Sequence, residues 1–187
     1  MRRAGHPRSR ASASAAHADI RCSQYGRARA LSEEGLAVSR ALSDKESRVW
    51  FLISLGALDL HQGNHAQATR LFEEGLVVGR ALGDKGLVSM ALADLGVVAR
   101  IQGDFVRADA LLTESLALGR DIRDKWRIAL SLHSLGMVAF RRGDYDRAAG
   151  LYAESLALAS QVRDRWIADD YRHRQNPDSN RPAEFTR

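Results

Sequence analysis

One interval governs this chain: the stretch from Leu92 to Asp124 returns forty residues earlier and forty residues later with its punctuation intact. Gly63, Gly103 and Gly143 share one phase, and so do Ala28, Ala68, Ala108 and Ala148. Leu31, Leu71, Leu111 and Leu151 share another, followed by Glu34, Glu74, Glu114 and Glu154, and Asp44, Asp84, Asp124 and Asp164 close each unit. A fixed period of about twenty to fifty residues points to a solenoid, because a unit that short leaves an apolar face open and buries it only against its neighbours. Such an array binds along a surface. The period alone does not name the partner.

Within each unit the apolar residues fall three and four apart, the spacing of one helix face, as in Ala28, Leu31, Gly35, Leu36, Val38, Ala41 and Leu42. That stretch is half a unit. Three fuller helical hairpins are predicted over about 45–82, 85–122 and 125–162, each divided by Gly63, Gly103 or Gly143. Glycine suits those bends because a helix most readily ends through a left-handed residue, which costs a residue with a side chain about 1 kcal/mol or more. Asn64, Asp104 and Asp144 follow and can cap the second helices, while Asp44, Asp84, Asp124 and Asp164 can cap the first. Gly56, Gly96 and Gly136 recur inside the first helices, where glycine costs about 1 kcal/mol against alanine. Their single phase predicts a close approach to the partner helix, with Ala68, Ala108 and Ala148 expected opposite.

The 187 residues, 45% of them apolar, suffice for a real core. A net charge of +5 suggests nucleic acid until it is divided by segment. Residues 1–29 carry seven Arg against Asp19 alone, whereas residues 30–162 carry fifteen Lys/Arg against seventeen acids, so the basicity belongs to the head. Residues 1–17 are low in complexity and are expected to be disordered, with Ala11 to Ala18 at most a degenerate first helix of the opening unit. The array is expected over 18–166, as a half repeat at 24–43 and repeats at 44–83, 84–123 and 124–163. After Trp166 the beat stops, and 167–187 read as an irregular or disordered tail. An array that begins and ends on half units suggests a piece of a longer one, with open ends that could associate end to end. Cys22 is the only cysteine, which excludes an intramolecular disulfide and suits a cytoplasmic location. No apolar run long enough for a membrane span occurs.

The pattern resembles the tetratricopeptide repeat in its forty-residue form, across about residues 24–166. The resemblance rests on Leu52, Leu55-Gly56, Gly63, Ala68, Phe72 and Gly75 in one unit. The next carries Leu92, Leu95-Gly96, Gly103, Phe105, Ala108, Leu112 and Ser115, and the third Leu132, Leu135-Gly136, Gly143, Tyr145, Ala148, Tyr152 and Ser155. Asp59, Ala99 and Ala139 stand where the family has an aromatic, and its proline after the second helix is absent. The resemblance implies an all-α fold, tandem helical hairpins stacked as a right-handed superhelical solenoid. The wording GD-x3-A-x5-ES-LAL is similar to arrays in large bacterial transcriptional regulators and signalling ATPases. No GxxxxGK[ST] phosphate loop or separate recognition-helix domain is present, so ATP and promoter binding do not transfer.

In the family the first helices line a concave face. Here that implies a groove of Trp50, Ile53, Ala57 and Leu60, then Met90, Ala93, Val97 and Arg100, then Leu130, His133, Met137 and Phe140, with Asp94, Arg100, His133 and Arg141 as its polar handles. Such a groove suits an amphipathic helix or extended apolar segment of a protein or peptide partner, although the same side chains could instead pack inside the array. Family members that grip a terminal carboxylate use Lys, Asn and Arg where this chain has Trp50, Ile53, Ser54 and Ala57, so that mode is not expected. Catalysis, a cofactor and a metal site are not expected either. Gly63 breaks the helix between His61 and His65, and His133 has no recognisable nucleophile or orienting partner. The alternative to a protein scaffold is a weak, salt-sensitive association with nucleic acid through Arg2, Arg3, Arg8 and Arg10.

Overall fold

The forty-residue punctuation becomes one turn geometry, used six times. At each bend the residue that opens the next helix first closes the previous one, its N–H reaching back five residues: Asp44 to the Ser39 carbonyl, Asn64 to Asp59, Asp84 to Gly79, Asp104 to Ala99, Asp124 to Gly119 and Asp144 to Ala139. This bond satisfies a carbonyl that the helix end would leave orphaned. Gly63, Gly103 and Gly143 take φ near +82° just before it, and Gly83 takes +69°. Asp44, Asp84, Asp104, Asp124 and Asp144 then accept a backbone N–H from the first turn of the following helix, at 3.0 to 3.2 Å. Hydrogen bonds from Ser47 hold the Asp44 carboxyl below its ordinary value. Asn64 departs from the expectation: its side chain makes no cap, and its Nδ2 donates instead to Asp59 at 3.2 Å.

A computed structural model describes residues 25–161. Among these there are seven helices and no strand: α1 over 25–41, α2 Lys45–His61, α3 His65–Leu82, α4 Lys85–Ile101, α5 Phe105–Asp121, α6 Lys125–Arg141 and α7 Tyr145–Gln161. The basic head, the irregular tail, Cys22 and Asp164 lie outside the described residues. Consecutive helices pack as antiparallel hairpins in a helical solenoid. The first helices α2, α4 and α6 also touch one another in succession, which α3, α5 and α7 do not do to that extent. An array whose first helices are the closer set curves around them, so α2, α4 and α6 form the inner, concave layer.

The two largest core patches are each shared by three helices. Val49 and Ile53 of α2, Ala68 and Phe72 of α3, and Leu87, Ala91, Leu95 and Val98 of α4 form one. Ala93 and Ala99 of α4, Leu112 and Leu116 of α5, and Leu132, Leu135 and Val138 of α6 belong to the next. Burying a side chain such as Phe72, which is fully enclosed, is worth about 2–3 kcal/mol, and it requires both neighbouring units. This is the physical content of the repeat. On α1 and just after it, by contrast, Leu31, Val38 and Leu42 remain exposed, although Leu71 and Leu111 in the same phase as Leu31 pack onto the core.

The close approach expected at Gly56, Gly96 and Gly136 is present, with a different partner. The atoms crowding these glycines belong to Phe72, Leu112 and Tyr152, four residues beyond Ala68, Ala108 and Ala148 on the partner helix. The large side chain lies over the missing Cβ, so glycine here makes room for a ring or a branched chain. The recurring glutamate also finds its use. Glu74, Glu114 and Glu154 accept from Arg40, Arg80 and Arg120 of the preceding unit at 3.0 to 3.2 Å. Partial burial pushes the Glu74 carboxyl up, but hydrogen bonds from Arg48 and Arg40 outweigh it and hold the group below its ordinary value. Exposed pairs of this kind contribute about 0–1 kcal/mol each, so they fix stacking register more than they supply stability.

Candidate functional site

The inner layer leaves one face of each first helix without a helix partner among the described residues. α4 shows why so much of it must be apolar. Ten of its seventeen residues are buried against neighbours on two sides, leaving only a narrow third stripe. Three rows cross the concave face, one residue from each first helix: Trp50, Met90 and Leu130; Ser54, Asp94 and Ser134; Ala57, Val97 and Met137. Trp50 is 45% exposed, and Met90, Leu130, Ala57, Val97 and Met137 are half-buried. At the far end Leu60 and Arg100 are half-buried, while Phe140, its ring edge-on to Tyr145, and Arg141 are exposed.

One row expected in the groove lies elsewhere. Ile53, Ala93 and His133 are buried at 8%, 4% and 3% exposure, with Ile53 and Ala93 built into the core between units and the His133 ring against Tyr152 at 5.6 Å. They stand three residues after the Trp50 row, and a helix turns by about 300° over that distance. That turn carries them toward the neighbouring helix. Trp126 was absent from the expected set. It lies one turn before Leu130, is 37% exposed, and joins Met90, Ala93 and Leu130 around a cavity of about 50 Å3 between α4 and α6. The signal was available as helical spacing extended one turn upstream.

Three hydroxyls floor that cavity. Ser89 and Ser115 lie 3.0 Å apart, and Ser115 and Ser131 2.9 Å apart, while Ser115 also donates to the Ser89 carbonyl at 2.7 Å. All three are buried and mutually satisfied, so they tie α4, α5 and α6 together.

Asp94 is the carboxylate at the centre of the face. It is half-buried, and desolvation pushes its pKa up to about 7. No group of three His, Cys, Asp or Glu side chains that could hold a metal ion occurs among the described residues. None of the described helices is long and apolar enough to cross a membrane.

The family model of the tetratricopeptide repeat matches residues 52–121 and again 87–161. The chain belongs to the tetratricopeptide repeat family. Similar solved structures include a Rap protein complexed with Competence and Sporulation Factor, at 16% identity and a TM-score of 0.74, covering 82% of this chain and 43% of that one. Another is BtubC (BKLC) from P. vanneervenii, at 18% identity and a TM-score of 0.64, covering 91% and 81%. These identities carry the fold alone, and this chain spans less than half the length of the Rap protein. Comparison with curated proteins finds no match. Tetratricopeptide repeats stacked in this way indicate a protein–protein interaction scaffold.

Proposed function

We propose that the chain is a non-enzymatic, cytoplasmic scaffold that takes up a peptide or protein segment along the concave face of α2, α4 and α6, within a bacterial regulatory or signalling system. The observation that carries this reading is the run of accessible apolar side chains across three successive first helices, from Trp50 through Met90 and Val97 to Met137 and Phe140. A contiguous apolar patch on a protein surface marks an interaction site, and here it lies on the concave side of the stack, which suits a docked chain segment. A Rap protein of like fold was solved in complex with Competence and Sporulation Factor, which supports a peptide-sized or protein occupant. The exposed Leu31 and Val38 on α1 and Leu42 just after it favour end-to-end self-association as a secondary property.

The test is selection of apolar peptides on the full chain, followed by measurement with a variant carrying Met90→Gln, Val97→Thr and Met137→Gln. Binding should fall at least tenfold while far-UV helicity is unchanged. Undiminished binding by the helical variant would place the occupant elsewhere.

A further inference from the structure

Other buried or half-buried carboxylates of the array are answered by a cation, most of them from a neighbouring helix. Asp59, with a side chain 4% exposed, receives Arg29 at 2.6 Å, and Glu74 receives both Arg40 and Arg48. Asp109 receives Arg147 at 2.9 Å. Asp94 receives nothing among the described residues: no hydrogen bond or ion pair reaches it there, although it is half-buried and the one acid of α4. Its counterparts on α2 and α6 are Ser54 and Ser134, so the repeat itself does not require an acid in that phase. An unpaired, poorly solvated carboxylate is unfavourable to the fold. It is a built receptor for a positive charge, because a cation arriving from outside restores what desolvation removed.

We infer that Asp94 makes the groove selective for a lysine or arginine side chain carried by an otherwise apolar peptide. This rests on the groove reading above and adds the chemistry of the occupant. One turn before Asp94 stands Met90 and one turn after it Val97, both half-buried, which suits the aliphatic stem of a lysine or arginine beneath its charged head. Beside Met90, the cavity of about 50 Å3 walled by Trp126 and Leu130 takes a small apolar side chain from a neighbouring position of the same peptide. The arrangement therefore reads two adjoining features, a cation and a small apolar group. A phosphate-bearing partner is disfavoured, since its charge would meet the Asp94 carboxylate.

The probes are three pools of eight-residue peptides of alanine, valine and leucine with one central residue: lysine, the neutral isostere norleucine, or glutamate. Binding of each to the full chain is read by fluorescence anisotropy at pH 8. Wild type should prefer the lysine pool to the norleucine pool by about tenfold, as one charge-assisted contact implies. Asp94→Asn should abolish that preference and keep norleucine binding, and Asp94→Lys should turn it toward glutamate. Equal binding of lysine and norleucine pools would overturn the inference while leaving an apolar groove. Failure of all pools to bind would overturn both. Sedimentation of wild type and Asp94→Asn provides a further arm: a dimer lost in the variant would assign the cation to a second copy and overturn a separate peptide partner.

Discussion

Gly96 lies so close beneath Leu112 that a Cβ on the glycine would stand 2.6 Å from Leu112 Cγ. Leu112 is fully buried, so its branch point cannot move aside cheaply. Alanine would gain about 1 kcal/mol of helix propensity, but overpacking a filled core costs about 1–3 kcal/mol, and the second effect wins. Gly96→Ala should therefore destabilise the array by about 1–2 kcal/mol. At Gly75 the nearest atoms to a built Cβ are 3.7 Å away or more, so Gly75→Ala should stabilise by about 0.5–1 kcal/mol. Urea midpoints of the two variants should shift in opposite directions.

Ser43 and Arg123 hold positive φ, at 57° and 55°, in the phase where the middle hairpin has Gly83 at 69°. A side chain is strained there by about 1–2 kcal/mol, part of which glycine returns through its freer unfolded state. Arg123→Gly should raise stability by about 0.5–1 kcal/mol and Gly83→Ala should lower it by about 1 kcal/mol. Thermal unfolding followed at 222 nm separates the two signs.

The Arg29–Asp59 pair joins α1 to the rest of the array. With Arg29→Met, Asn64 becomes the remaining donor to a buried carboxylate, and a loss of about 2–3 kcal/mol is expected because the charge stays behind without its partner. Adding Asp59→Ala should recover most of that loss, since Ala99 and Ala139 fill the same phase as buried alanines. A double-mutant cycle in urea gives the coupling; additive losses would show that the pair contributes nothing of its own.

Asp94 gives a pH dependence of definite sign. Its folded pKa is raised from 3.8 to about 7, so between those values the folded chain holds a proton that the unfolded chain has released. The contribution to stability is therefore full below about pH 4, falls as pH rises toward 7, and is level above. Among the charged groups on the adjacent first helices, Arg48 and Asp59 on α2 and Arg127 on α6 are already engaged with Glu74, Arg29 and Asp124. Lys45, Glu46 and His61 on α2 and Lys125, His133 and Arg141 on α6 are the other charged or titratable groups there. Asp94→Asn should match wild type near pH 4 and exceed it by about 1–3 kcal/mol at pH 8. Denaturant titrations across that range give the slope, and parallel curves for the two proteins would refute the assignment.

The helices and their bends could be read from the chain because they depend on local chemistry. Gly63, Gly103 and Gly143 end helices through φ that any backbone would need there, and Asp84 and Asp124 cap with atoms only a few bonds away. The groove was only partly readable. The family resemblance, with helical spacing, placed Trp50, Met90, Asp94, Val97 and Met137 on the inner side, but it set Ile53, Ala93 and His133 beside them and passed over Trp126. Periodicity gives a residue its angle around its own helix. Whether that angle meets water or the next helix depends on how two units lean together.

By itself, then, the sequence determined the repeat, its helices, its turns and its family, since each follows from contacts within about forty residues of chain. The tertiary structure decided that large side chains and not alanines cover the recurring glycines, that Arg29 answers Asp59, and that Asp94 is left unanswered among the described residues. These are matters of distance between side chains on different helices. No spacing along the chain encodes them, because stacking sets them only when the units close on one another.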